Sequence, residues 1–184
     1  MTGRTKLVIY GTLVAVVAAG VFLLELRERR DEGTDPLALH DDGIGPLRLG
    51  LDLESAATAA RRVAPESVMV GPGCGDRDEV TYSGLLGSHP VTVMAMADDG
   101  IVTEVELTLD GLSQAGNEAA CVAHRDRLAA PFVARFGPEG EHWVVRKPVS
   151  SEHMVQIGPA VVIARWFSTG RSCYISANYG GVER

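Results

Sequence analysis

An uncharged, apolar run near the N-terminus constrains this chain more than any other feature of its sequence. The run covers the 18 residues of Leu7–Leu24 and contains no proline. Because a helix rises about 1.5 Å per residue, this run is nearly as long as the ~30 Å hydrocarbon core of a bilayer. Basic residues flank it on both sides. We therefore predict a transmembrane signal anchor within residues 1–26, which contacts the membrane through residues 7–24.

A cleaved signal peptide is the alternative interpretation of the same run. The small residues Ala18-Ala19-Gly20 have the spacing that a signal peptidase recognises. The apolar stretch nevertheless continues through Val21–Leu24, where a signal peptide normally becomes polar. A short basic N-terminus before a first apolar segment is also typical of export. These features predict a single-pass protein of the bacterial inner membrane with its C-terminal domain outside the cytosol, in the periplasm.

Charge is divided unevenly between the N-terminal region and the rest of the chain. Residues 1–30 hold five basic and two acidic residues, whereas residues 31–184 hold 12 basic and 22 acidic ones, a balance of −10. Nucleic-acid binding needs clustered lysine and arginine, so this acidic body argues against it. An acidic surface instead attracts basic proteins. We expect a basic protein partner; the oligomeric state stays open.

The chain after the anchor divides into a polar tether, residues 27–44, and an α+β domain, residues 45–184. The coarse order is β-α-β-β-β followed by α-β-β-β-β, with short turns between neighbouring strands. This pattern predicts a mainly antiparallel sheet with two helices. A division into two small repeats, about 45–111 and 112–184, stays open because the two halves lack sequence similarity.

Capping residues and turns define the predicted elements. Asp52 and Asn117 have the side chains that cap helices, which predicts helices over 53–64 and 118–136. Pro131 should kink the second helix or end it early. The residues of 101–109 alternate between apolar and polar, so one sheet face should be wet. The strands are predicted at Pro46–Leu49, Glu79–Leu86, Val91–Ala97, Ile101–Leu109, His142–Lys147, Met154–Ile157, Ala160–Phe167 and Ser172–Tyr179, with Ser67–Val70 as a brief further candidate.

The segment Ile44–Ala60 carries a short strand, a glycine turn at Gly50, a polar cap at Asp52 and a helix start. This segment resembles the beginning of domains in the small lipoprotein of the outer-membrane barrel-assembly machinery and in beta-lactamase inhibitor protein. The resemblance covers under a tenth of the chain. It implies binding or assembly work in the envelope rather than catalysis.

Three cysteines allow one disulfide and leave one thiol over. Cys121 lies on the apolar stripe of the second predicted helix, and Cys173 lies on the inward face of the last predicted strand. A helix packed on that sheet would bring the two together, so Cys121–Cys173 is the favoured pair. Cys74, in a glycine-rich loop, is an alternative partner for either cysteine, and three unpaired thiols are a further alternative.

No motif specifies a reaction, and we predict no catalytic, cofactor-binding or metal-binding residues. The five histidines lack the spacing of a metal site. An envelope enzyme of unknown reaction is the alternative function, with Cys74 as a nucleophile and His89 as the nearest base in the sequence. Trp143 is expected either in the core or, if it is exposed, at a binding surface. The leading hypothesis is a protein-binding domain, such as an inhibitor, an immunity factor or an accessory subunit of an envelope complex.

Overall fold

The fold is dominated by one large antiparallel sheet, seen in a computed structural model that describes residues 35–73, 77–110 and 113–180. The predicted anchor, residues 7–24, lies outside the described residues. The elements are β1 Leu39–His40, β2 Gly43–Ile44, β3 Leu47–Arg48, α1 Leu53–Val63, β4 Met69–Pro72, β5 Asp78–Leu86, β6 His89–Asp98, β7 Ile101–Leu109, β8 Ser113–Gln114, α2 Glu118–Phe136, β9 His142–Lys147, β10 Ser150–Ile157, β11 Ala160–Phe167 and β12 Ser172–Tyr179.

The large sheet consists of two four-stranded meanders that meet at their last strands. Its order is β4-β5-β6-β7-β12-β11-β10-β9, and β8 pairs with β12 away from this path. Strands β7 and β12 run antiparallel, with Ala177 opposite Leu107. In each half a helix precedes its four strands. The predicted α+β class, with a mainly antiparallel sheet and two helices in the described residues, is confirmed.

The two helices begin and end at the residues that local chemistry selects. Asp52 accepts a hydrogen bond from the Ser55 backbone N–H at 2.8 Å, and Asn117 accepts one from the Ala120 backbone N–H at 2.9 Å. Each cap satisfies a backbone donor that has no partner within its helix. Gly137, with φ of 96°, follows the last residue of α2. Such a positive φ favours glycine, so the chain leaves the helix there.

Pro131 does not end α2 early, because the helix continues to Phe136. Proline removes one backbone donor from a helix, which usually interrupts it. Here Leu128, Ala129 and Phe132 flank the proline and are at most 2% exposed. Their packing against the sheet holds the helix together, since tertiary burial outweighs local propensity.

Strand β7 contains a β-bulge, which explains why apolar and polar residues do not alternate perfectly along its sequence. Val102, Val105 and Leu107 are buried, although Val102 and Val105 are three residues apart. The pairing of β6 with β7 shifts between Met96 and Ala97, which is a β-bulge. The bulge inserts one residue into β7 and returns the apolar side chains to the same face.

The segment that was predicted as a tether belongs in part to the folded unit, which starts at Pro36. Leu37 is 6% exposed and Ile44 is fully buried. The hydroxyl of Tyr82 donates to the backbone oxygens of Pro36 and Ile44. Strands β1, β2 and β3 form a small antiparallel sheet here. The domain therefore begins before residue 45, because these few apolar side chains complete the core.

Candidate protein-binding surface

The large sheet has one covered face and one uncovered face in the described part of the chain. Helix α2 packs against β10, β11 and β12, and α1 packs against β5 and β3. Buried residues of both helices join the main core with the inward side chains of the sheet. We call the opposite side the outer face. It presents the alternate side chains of each strand.

An apolar cluster lies on the outer face of the second meander. Met154, Val161 and Ile163 are 5–7% exposed, and Trp143 packs against them. The register places Trp143 opposite Met154 and Met154 opposite Ile163 on three adjacent strands. Helix α2 packs on the opposite face of β10 and β11, so within the described residues these side chains shield one another from water. At 5–7% exposure, Met154, Val161 and Ile163 form a small second core, and Trp143 beside it is the member that solvent reaches.

Trp143 is half-buried and lies in β9, the edge strand of the sheet. Its neighbours in β9, Val144 and Val145, are 49% and 40% exposed. Trp166, in contrast, faces the main core and is 8% exposed. Trp143, unlike Trp166, thus lies at the rim of the apolar cluster. Tryptophan in this position contributes a large contact area to interfaces.

A ladder of charged side chains crosses the outer face beside the apolar cluster. Glu152 accepts hydrogen bonds from Lys147 at 3.0 Å and from Arg165 at 3.1 Å. The Arg165 guanidinium lies 5.9 Å from the centre of the Tyr174 ring, and the Tyr174 hydroxyl donates to Glu106 at 2.9 Å. The ladder therefore connects both meanders across the junction of β7 and β12.

Two groups of this ladder, Glu152 and Tyr174, have shifted pKa values. Burial by itself would raise the pKa of Glu152, but the hydrogen bonds and charges of Lys147 and Arg165 outweigh burial and lower it. Burial raises the pKa of Tyr174, and the charge of Glu106 raises it further. At neutral pH the carboxylate is therefore ionised and the phenol is protonated. The ladder acts as a structural polar rim rather than as an acid–base pair.

The outer face of the first meander is acidic. Glu79, Glu104 and Glu106 point to this side from β5 and β7, with Met96 between Glu79 and Glu104 in the register. We call these three glutamates the acidic patch. Arg77 forms an ion pair with Glu104 at 3.3 Å. The carboxylates outnumber this arginine, so the patch has a negative potential that favours a cationic ligand.

A second polar cluster lies at the beginning of α2. One carboxylate oxygen of Glu118 contacts the Ser151 hydroxyl at 2.8 Å, the His153 ring at 2.6 Å and the Arg146 guanidinium at 3.1 Å. The hydrogen bond with His153, followed by the one with Ser151, lowers the pKa of Glu118. Ser151 and His153 both bond to the carboxylate, and no hydrogen bond joins them. These contacts tie the start of α2 to β9 and β10.

A cleft of about 510 Å³ beside α1 is lined by Asp52, Asp78 and Arg61, among other residues. Asp52 is already bound to the Ser55 backbone as a helix cap, and that contact lowers the pKa of its carboxyl group. A carboxylate held ionised in a cap is a poor general acid. We therefore assign Asp52 a structural role as the cap of α1.

The other residues considered for chemistry are separated or lie outside the described residues. Cys121 and Cys173 form a disulfide, with their sulfur atoms 2.06 Å apart, as the facing of the two residues predicted. Cys74 lies outside the described residues, and His89 is exposed at the start of β6, beside the turn from β5. Within the described ranges, no group of three or more histidine, cysteine or acidic residues is arranged to hold a metal ion.

No helix of the described residues combines the length and the apolar character that crossing a membrane requires. Comparison of the chain with protein-family models, with curated proteins and with solved structures found no match. The geometry of the outer face is therefore the basis for a functional assignment.

Proposed function

We propose that this chain is a membrane-anchored envelope protein whose acidic domain binds a basic protein through the outer face of its sheet. The observation that carries the proposal is the acidic patch, Glu79, Glu104 and Glu106, on the same uncovered face as the apolar cluster. Interfaces typically combine an apolar centre with a polar rim, and complementary charge accelerates association. Inhibition of a cationic hydrolase, immunity against one, and assembly of an envelope complex are the forms of this function that we propose.

The predicted anchor supports a location at the inner membrane. The apolar run Leu7–Leu24 is long enough to cross the bilayer, and the acidic body follows it in the sequence. We propose that the domain lies in the periplasm. Protease added to spheroplasts should then digest the domain, while protease added to intact cells should not. Digestion only after the inner membrane is broken would contradict this orientation.

Binding can be tested with the full-length chain and purified soluble proteins of different charge. The probes are a cationic hydrolase of the lysozyme type and an acidic protein of similar mass. We expect the cationic protein to bind at low salt and to dissociate progressively as the salt concentration rises. The acidic protein should not bind. Equal binding of both probes, or binding of neither, would reject a charge-selective protein-binding function.

Variants distinguish the acidic patch from the overall charge of the domain. The double substitution Glu79→Gln and Glu106→Gln removes two charges from the outer face and keeps hydrogen-bond acceptors. The matched control, Glu54→Gln and Glu66→Gln, removes two charges from exposed residues outside that face. We expect the first variant to lower the association rate about tenfold and the control to lower it much less. An equal loss in both variants would show that only net charge matters.

A further inference from the structure

The two edges of the large sheet differ in how well they are protected against pairing with another strand. Edge strand β4 has only four residues and contains Gly71 and Pro72. Short edge strands and prolines are devices that prevent sheet extension. Edge strand β9 has six residues, His142–Lys147, without glycine or proline. Both edges carry exposed apolar side chains, Met69 and Val70 in β4 and Val144 and Val145 in β9. The length of β9 and its lack of glycine and proline therefore make it the edge that is open to a further strand.

The backbone of β9 presents regularly spaced hydrogen-bonding groups to the outside. Gln156 N–H donates to the Glu141 carbonyl at 2.9 Å, and the pairing of β9 with β10 continues from there in antiparallel register. Hydrogen bonds in such a pair alternate along the strand. The amide and carbonyl groups of His142, Val144 and Arg146 therefore point away from β10, as they do on a sheet edge that can accept another strand.

Charge along β9 selects the direction and the identity of that strand. Acidic residues, Glu139 and Glu141, precede β9, and basic residues, Arg146 and Lys147, end it. Two copies of β9 in antiparallel orientation place the acidic end of each beside the basic end of the other. A parallel arrangement would place like charges together, which is unfavourable. The charges of two β9 segments are thus complementary in the antiparallel orientation and not in the parallel one.

We propose that β9 pairs in antiparallel orientation with β9 of a second copy of this chain, which gives a symmetric dimer with one continuous sheet. The outward backbone groups of Val144 lie at the centre of this pairing. In that register Trp143 lies opposite Val145 of the second copy, and Glu141 lies opposite its Lys147. An aromatic residue opposite a β-branched residue is a favourable cross-strand pair. This inference goes beyond the proposed function and does not depend on it.

The dimer joins the two outer faces of the copies into one surface. Trp143 and Val145 of both copies meet at the seam, so the apolar clusters around Met154 of the two copies become continuous. Because the same strand is used by both copies, the interface closes on itself and leaves no open β9. The other strands of the large sheet with one partner are the protected β4 and the two-residue β8 of each copy, which limits growth beyond two subunits.

The test measures the mass of the full-length chain in mild detergent by analytical ultracentrifugation. The density of the buffer is matched to that of the detergent, so that the bound detergent does not contribute to the measured mass. We expect a dimer in the wild type. Val144→Pro removes the central outward N–H, and proline is tolerated on an edge strand where that group faces solvent. This variant should raise the dissociation constant at least about tenfold. A wild type that is monomeric, or a Val144→Pro variant that dimerises as well as the wild type, would overturn the proposal.

Two charge-reversal variants test the antiparallel register of β9. Because neither introduces proline, an effect of proline on folding cannot influence the result. Lys147→Glu places acidic residues opposite each other in a homodimer, and Glu141→Lys places basic residues opposite each other. Each variant alone should therefore be weakened as a dimer, and a mixture of the two should form a heterodimer because both contacts become complementary. Failure of the mixture to associate better than either variant alone would reject this antiparallel register.

Discussion

The disulfide between Cys121 and Cys173 should contribute more to the stability of this domain than any other single pair of side chains. It joins α2 to β12, and the two residues are 0% and 1% exposed. The perturbation is the double substitution Cys121→Ala and Cys173→Ala. Alanine keeps the core apolar, whereas serine would bury hydroxyl groups without assured partners.

The expected loss follows from the length of chain that the bridge closes. The two cysteines are 52 positions apart in the sequence. In the chain-entropy model, a loop of this length restricts the unfolded state by about 4 kcal/mol at 25 °C. The missing sulfur atoms leave a small cavity, which adds about 1 kcal/mol. Since domains of this size are stable by roughly 5–15 kcal/mol, the variant should be close to its limit of stability.

The assay is urea unfolding of the full-length chain, with every variant in the same detergent. Reduction of the wild type should reproduce most of the loss, because it opens the loop without removing atoms. Cys74→Ala serves as the control and should unfold like the wild type with or without oxidation. A loss below about 1 kcal/mol in the double variant would refute the loop-closure argument. A large loss in the control would instead indicate that Cys74 takes part in the bridge.

Three further predictions concern single side chains. Glu118→Gln should destabilise the protein near neutral pH by at most about 1 kcal/mol, because the Glu118 side chain is 35% exposed and water screens its contacts. The folded-state pKa of Glu118 is lowered, so its contribution is present above pH ~4.5 and is lost as the pH falls through that lowered pKa. The difference in unfolding free energy from the wild type should therefore shrink in acid. Tyr82→Phe removes a hydroxyl that donates to two backbone carbonyls and should cost about 1–2 kcal/mol in urea unfolding. Tyr179→Phe removes a buried hydroxyl without a hydrogen-bond partner in the described residues, so thermal unfolding should occur at the same or a higher temperature.

Local chemistry explains which parts of the fold were predictable from the sequence. The predicted bounds of α2 and of strand β7 agree with the structure. Asn117 and Gly137 set the ends of α2, and the two-residue turn Asp99-Gly100 sets the start of β7, with both turn residues at positive φ. Each of these signals acts within a few residues. The disulfide was predictable as well, since it needed only the inward facing of a helix residue and a strand residue.

The candidate site was harder to predict because it depends on which strands become neighbours. The sequence shows that Val161 and Ile163 alternate with Val162 and Ala164 in β11, so both faces of this strand are apolar. Such a pattern predicts burial on both faces. In the structure α2 covers one face, and the other carries the apolar cluster. Whether a partner covers that face is a property of the assembly, which no local pattern encodes.

The small N-terminal sheet explains why the domain starts where it does. Helix α1 has 11 residues and α2 has 19, so the shorter helix covers less of the inner face of its meander. Strands β2 and β3 contact β6 and β7, while the main contacts of α1 are with β5 and β3. Ile44 and Leu47 are fully buried there, and Gly45 at φ of 52° lets the chain pass close to Pro36. The residues from Pro36 onward thus replace a longer first helix. A fragment that begins at residue 45 would expose the inner face of the first meander, which is why the tether must end before Pro36.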